Sequence, residues 1–181
     1  MSLVVASGFS QIHTSEDFIG EDSISIEYRK TEIEEQEGAM TRDGFPVVVH
    51  VLLWRAEELF LLRRANTGFL DGFYALPGGH QRRGEGVKEA AIRECFEETG
   101  VEVTQLLPVC VMPYMAEGQQ GLNFLFEAQQ WRGTPGINEP ALFDDCVWCA
   151  PDNLAEPHPA WLPDALRHRQ TGDWFVEFEW D

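Results

Sequence analysis

The run from Gly78 to Val101 constrains this chain most, because three carboxylates, Glu94, Glu97 and Glu98, stand in it at helical spacing between glycines. Residues three and four apart share a helix face, so Glu94 lies beside both Glu97 and Glu98. Like charges placed in this way repel, by roughly a few tenths of a kcal/mol per exposed pair, unless a cation sits between them. Gly78, Gly79, Gly84 and Gly86 predict a loop ahead of the helix, and Gly100 is placed to stop it, which gives a helix over 87–99. Val87, Ala91, Ile92, Cys95 and Phe96 form its expected core side, Ala90 falls among the acids, and Glu89 precedes Arg93 at ion-pair spacing. Oxygen ligands at this density suit Mg²⁺, with Mn²⁺ the alternative, hard ions that complete their shell with water and substrate phosphate.

The same stretch resembles the signature of the Nudix hydrolases. Gly79, Glu85, Arg93, Glu94, Glu97, Glu98, Gly100 and Val101 match its constrained positions in register. Cys95 is the single departure, standing where the family has an aliphatic residue, and as a small buried hydrophobe it touches packing more than chemistry. The resemblance implies an α/β fold, the Nudix-type α/β/α sandwich with a mixed β-sheet and the Nudix loop-helix-loop. It implies that Glu94, Glu97 and Glu98 are the principal metal ligands, that the carbonyl of Gly78 adds an oxygen, and that Glu85 braces the loop or binds a second ion. Arg93 would orient the acids. The implied reaction is water attack on phosphorus, which cleaves the diphosphate linkage of a nucleoside triphosphate or another nucleoside diphosphate derivative.

A general base must come from elsewhere. The segment from Trp131 to Pro140 resembles the MutT-type loop whose glutamate reaches the metal site, which makes Glu139 the candidate base or additional ligand. Glu117, Asp144 and Asp145 are reserves. Two other readings remain open at this point: a prenyl-diphosphate isomerase, which would need a catalytic cysteine, and a nucleotide-sensing module without turnover.

Composition narrows the partners. A net charge of −18 disfavours a nucleic-acid polymer, which normally meets a basic footprint. The positive charge that exists is clustered, with Arg63, Arg64, Arg82, Arg83, Lys88 and Arg93 all between positions 63 and 93. Such clustering favours a small anionic nucleotide near the acidic helix. In some Nudix members an arginine placed like Arg63 or Arg64 contacts phosphate, whereas strand alternation sends one of the two into solvent. No apolar run is long enough for a membrane span, and the first residues lack a basic, then apolar leader, so a cytoplasmic setting is expected. Cys146 and Cys149 have C-x-x-C spacing but lie in an apparent strand without a second pair, which predicts packed thiols rather than zinc.

The 181 residues suffice for one sizeable core. Residues 1–42 read as an N-terminal extension with a candidate strand at 23–28, and 43–181 as the catalytic domain. Within the latter, the apolar runs 46–54 and 59–63 predict a β-hairpin, 73–76 a short strand, and 101–106, 109–114 and 122–128 three further strands. A second helix is expected over 163–170, bounded by Gly172, and an alternating extended segment at 176–180. Phe73, His80 and Asn123, with Arg63 and Arg64, are the candidate substrate-binding residues. The sequence leaves a homodimer open.

Overall fold

The computed structural model describes residues 44–116 and 118–175. The N-terminal extension with its candidate strand, Glu117 and the alternating segment at 176–180 lie outside the described residues.

Two sheets are sandwiched between two helices. The first sheet runs in the order β5 (Gly78–His80), β1 (Val47–Leu52), β7 (Gln119–Arg132), β6 (Glu102–Ala116). It is mixed, because β1 and β7 are parallel while β1–β5 and β6–β7 are antiparallel. The second is built on β3 (Glu58–Arg64), which pairs with β8 (Phe143–Cys149) along one edge and with β2 (Trp54–Arg55) and β4 (Tyr74–Ala75) along the other.

Alternation along the strands divides the core. Phe60 and Leu62 of β3, with Val49 and Val51 of β1, pack under Ala90, Ala91 and Cys95 of helix α1 (Val87–Thr99). The intervening Leu59, Leu61 and Leu52 pack under Leu162, Ala165 and Leu166 of helix α2 (Leu162–Thr171). Strands buried on both faces must be apolar at nearly every position, and the runs at 47–53 and 59–62 are. Cys146 and Cys149 join opposite faces of this core, as packed thiols do.

That double burial also explains the main correction to the strand assignment. The expected hairpin of 46–54 with 59–63 does not form as such: only Trp54 and Arg55 pair with β3, whereas β1 leaves for the other sheet. A continuous apolar run says that a strand is buried and nothing about its partner. The chain changes sheets at Leu53, whose carbonyl accepts the Phe60 N–H at 3.0 Å. The two strands expected at 101–106 and 109–114 are one strand, β6, in which register shifts around Val103–Leu106 and Pro108–Cys110 absorb the irregularity.

Gly78 and Gly79 are not loop residues. They form β5, and their lack of a side chain serves close approach: a Cβ on Gly78 would stand 2.0 Å from the Val49 carbonyl oxygen, and one on Gly79 would stand 2.6 Å from Glu94 Cδ. Helix α1 matches its expected ends, with Gly100 in the left-handed region (φ 75°) donating its N–H to Phe96 O. Its faces need two corrections, since Phe96 is exposed and Ala90 is fully buried. The expected Glu89–Arg93 pair also gives way, because Glu89 instead accepts the Gly86 N–H at 2.8 Å and so caps the helix.

Gly78→Ala should therefore be among the most destabilising single-atom additions in the molecule. A loss of more than about 3 kcal/mol, read by thermal or chemical denaturation, is expected because the obstructing atom is backbone and cannot swing away.

Candidate active site

Arg93 stands at the centre of the acidic cluster. Its Nε and one terminal nitrogen donate to both oxygens of Glu85 (2.6 and 2.9 Å), the other terminal nitrogen donates to Glu94 (2.6 Å) and Glu97 (2.9 Å), and a further bond reaches the His80 carbonyl (3.1 Å). One guanidinium thus joins the strand β5, the loop that follows it and the helix. The two-point bond to Glu85 is the strong, oriented kind. The Arg93 donors, with the Arg82 N–H, hold the Glu85 carboxyl down to about 2, and the same contacts raise Arg93 above its ordinary value.

Glu98 sits in different surroundings. It is 6% exposed, and its Oε2 accepts the Gly78 N–H at 2.8 Å. Burial pushes its carboxyl up to about 8; the Gly78 bond opposes this, while the neighbouring charges of Glu94 and Glu139 add to it. Glu97, half-buried, is shared between Arg93 and Arg82, the latter at 3.1 Å.

Glu139 joins this cluster from a distant loop. Burial raises its carboxyl, and the charges of Glu97 and Glu94 raise it further. Its neighbour Asn138 explains the placement: the Asn138 N–H donates to Glu98 O (2.9 Å) and its side-chain amide to the carbonyls of Glu97 (2.9 Å) and Phe96 (3.3 Å). Gly136 N–H takes Thr99 O at 3.1 Å. The last four carbonyls of a helix lack intrahelical partners, and here the 136–138 segment, with Gly100, supplies them. On its other side the loop is tied to the residue that follows β3, through Ala65 N–H to Leu142 O (2.7 Å). Asn138 is the positioning residue that the sequence reading missed; it stands beside Glu139 in the chain, but its partners lie about forty residues away.

The remaining candidates divide. Arg64 and Arg63 take different partners on either side of a register shift that β3 makes against β8 between them. Arg64 donates through Nε to Phe69 O (2.9 Å), and its charge is felt at Glu98 and at His50. Arg63 is engaged with Asp144 (2.7 Å) and lies over the Tyr74 ring, whose hydroxyl donates to Asp145 (2.5 Å). That leaves Asp144 and Asp145 in a separate network. His80 and Asn123 flank Val48 in one row across the first sheet. Asn123, 7% exposed, accepts a hydrogen bond from His50 Nε2 at 3.2 Å, and the His50 ring lies 4.7 Å from that of Trp161. Burial keeps His50 neutral, lowered to about 4. Phe73 is half-buried at the end of the loop closed by its N–H bond to Leu70 O (3.1 Å).

A hard divalent cation fits the donor set. The cluster offers carboxylate oxygens without histidine or cysteine, and Glu94 and Glu98 spend one oxygen each on Arg93 and Gly78, which leaves the second oxygen of each for an ion. Among the described residues no three acidic, histidine or cysteine side chains already converge on one point, and the guanidinium groups of Arg93 and Arg82 hold Glu94 and Glu97.

The chain is similar to known proteins in sequence and in fold. A family model described as the NUDIX domain matches residues 44–169. Over 69 residues, 37% of this chain, the sequence is 41% identical to an ADP-ribose pyrophosphatase of Methanocaldococcus jannaschii; the match spans 40% of that protein's length. Among solved structures, a MutT Nudix hydrolase from Burkholderia pseudomallei superposes with a TM-score of 0.65 at 26% identity, over 70% of this chain and 98% of its own. A MutT protein from Methanosarcina mazei Go1 has the same fold, with a TM-score of 0.64 at 21% identity over 74% and 99% of the two chains.

Glu98 yields a stability prediction with a definite sign. Its folded value of about 8 lies above an unfolded value of 4.5, so its contribution is fully present below pH 4.5 and is lost as pH rises through about 8. Glu98→Gln keeps an acceptor for the Gly78 N–H and removes the buried charge. Without metal at pH 8.5 this variant should melt about 3–10 °C above the wild type, and at pH 4.5 the gap should nearly close, as measured by calorimetry.

Proposed function

The chain belongs to the Nudix family, and on that footing we propose that it is a metal-dependent pyrophosphohydrolase that cleaves the diphosphate linkage of a nucleotide derivative by water attack on phosphorus. The observation that carries this reading is the buried Glu98, fixed by the Gly78 N–H and crowded by Glu94 and Glu139. A carboxylate in such surroundings is stable in its charged form only with a cation beside it. Mg²⁺, or Mn²⁺ in its place, suits the all-oxygen donors.

Glu94, Glu97 and Glu98 would hold the ion, with the Gly78 carbonyl as a further oxygen and Glu85 bracing the loop through Arg93. When bound, the ion supplies charge stabilisation at the phosphoryl oxygens and acidifies a water. Glu139 is the candidate to take the water's proton, and its raised proton affinity suits a base. Arg93 keeps the acids oriented. Arg64, whose charge reaches Glu98, would meet the phosphates, whereas Arg63 is occupied by Asp144. The row of His80 and Asn123 beside His50, together with Phe73, would contact the rest of the substrate.

ADP-ribose is the first substrate to try, since it is named in the activity of the Methanocaldococcus relative. A thiol-dependent isomerase fits poorly. Cys95 is buried against Thr99, with its thiol pushed up to about 12 by burial, and Cys110 packs in the core facing α2.

The test is an assay of ADP-ribose, nucleoside triphosphates, dinucleoside polyphosphates and sugar nucleotides with and without Mg²⁺. Hydrolysis of at least one should require the metal, and Glu98→Gln should lower its kcat by about 10²-fold or more. Binding without turnover across the whole panel would reduce the protein to a nucleotide sensor.

A further inference from the structure

Glu97 carries two guanidinium groups, and they are not equivalent. Arg93 is 17% exposed and is tied to Glu85, Glu94 and the His80 carbonyl as well. Arg82 is 62% exposed, and among the described residues its guanidinium has no carboxylate partner besides Glu97, whose two oxygens it meets at 3.1 and 3.3 Å.

The root of Arg82 is nevertheless fixed. Its N–H donates to Glu85 Oε2 at 3.0 Å, the Glu85 N–H returns to the Arg82 carbonyl at 3.2 Å, and Arg93 clamps that same Glu85 carboxylate. The neighbouring Gln81 is held by its N–H to Val47 O at 2.9 Å. A rigid root with a long, solvated tip places one positive charge over the acid cluster and leaves it free to move. Its charge is felt at Glu139 as well as at Glu85.

We propose that Arg82 is an exchangeable counter-ion: it neutralises Glu97 in the metal-free protein, yields that carboxylate to the divalent cation, and then binds the diphosphate of the substrate. This rests on the pyrophosphohydrolase reading above. An exposed ion pair of this kind adds little to stability, so a divalent ion shared among Glu94, Glu97 and Glu98 displaces it readily. The released guanidinium stays within a side chain's reach of any phosphate bound at those residues, and its planar fork of donors matches phosphate oxygens. Arg93, half-buried and held by several partners, cannot make that exchange.

The exchange gives Arg82 opposite effects on its two ligands. Mn²⁺ would be titrated calorimetrically, without substrate, into the wild type, Arg82→Gln, Arg82→Lys and Arg83→Gln, the last an exposed neighbour that controls for net charge. Steady-state kinetics on the best substrate of the panel follow for the same proteins. Arg82→Gln should bind Mn²⁺ about 2- to 5-fold tighter while its KM rises about 10-fold with kcat nearly unchanged. Arg82→Lys should restore the wild-type Mn²⁺ affinity but keep a raised KM, for want of the fork. Arg83→Gln should match the wild type in both. Unchanged or weaker Mn²⁺ binding by Arg82→Gln, or an unchanged KM, overturns the exchange and leaves the hydrolase reading intact; a wild type that binds no Mn²⁺ overturns both.

Discussion

The site depends on one guanidinium. Arg93 joins Glu85 of the loop, Glu94 and Glu97 of the helix and the carbonyl of His80, so a single side chain fixes three segments relative to one another. A half-buried positive charge is tolerable only when it is paired, and each of these carboxylates is tolerable for the same reason. The arrangement is reciprocal. It also holds the acids without merging them, since Glu94 Oε2 and Glu98 Oε1 take no part in these bonds.

Two further constraints complete the platform. Gly78 and Gly79 bring β5 so close to β1 and to Glu94 that no side chain fits, and the same closeness lets the Gly78 N–H reach Glu98. Asn138 turns the bare carbonyls of the helix C-terminus into an anchor for the loop that carries Glu139. Helix termination and site assembly are therefore one event: Gly100 stops the helix, and the carbonyls thereby exposed recruit the fifth carboxylate. Loss of the cap would be expected to disturb Glu139 before it disturbed the core.

Much of this was legible in the sequence where the determinants are local. The ends of α1 follow from Gly86 and Gly100, and the carboxylate face follows from helical spacing. The rest required tertiary partners. Continuous apolar runs announce burial on both faces without naming a neighbour, so β1 read as half of a hairpin although it pairs with β5 and β7. Gly78 and Gly79 read as loop because glycine usually marks turns, whereas here it marks a strand pressed against its neighbours. Strand alternation predicts that Arg63 and Arg64 diverge, but only the pairing of β3 with β8 assigns Arg63 to Asp144, while Arg64 donates to Phe69 O and its charge reaches Glu98. Ala90 and Phe96 exchange their expected surroundings: the small Ala90 and Ala91 both pack in the core, and Phe96 is left in solvent.

If the buried carboxylate of Glu98 is a cation ligand, metal binding must release the proton that burial holds on it. Mg²⁺ would be titrated calorimetrically at pH 7 in two buffers of different ionisation enthalpy, which separates binding heat from proton transfer. With burial holding Glu98 at about 8, about one proton should leave per ion bound. That release should vanish in Glu98→Gln. Mg²⁺ binding by the wild type with no proton release would mean that Glu98 is not a ligand of the ion.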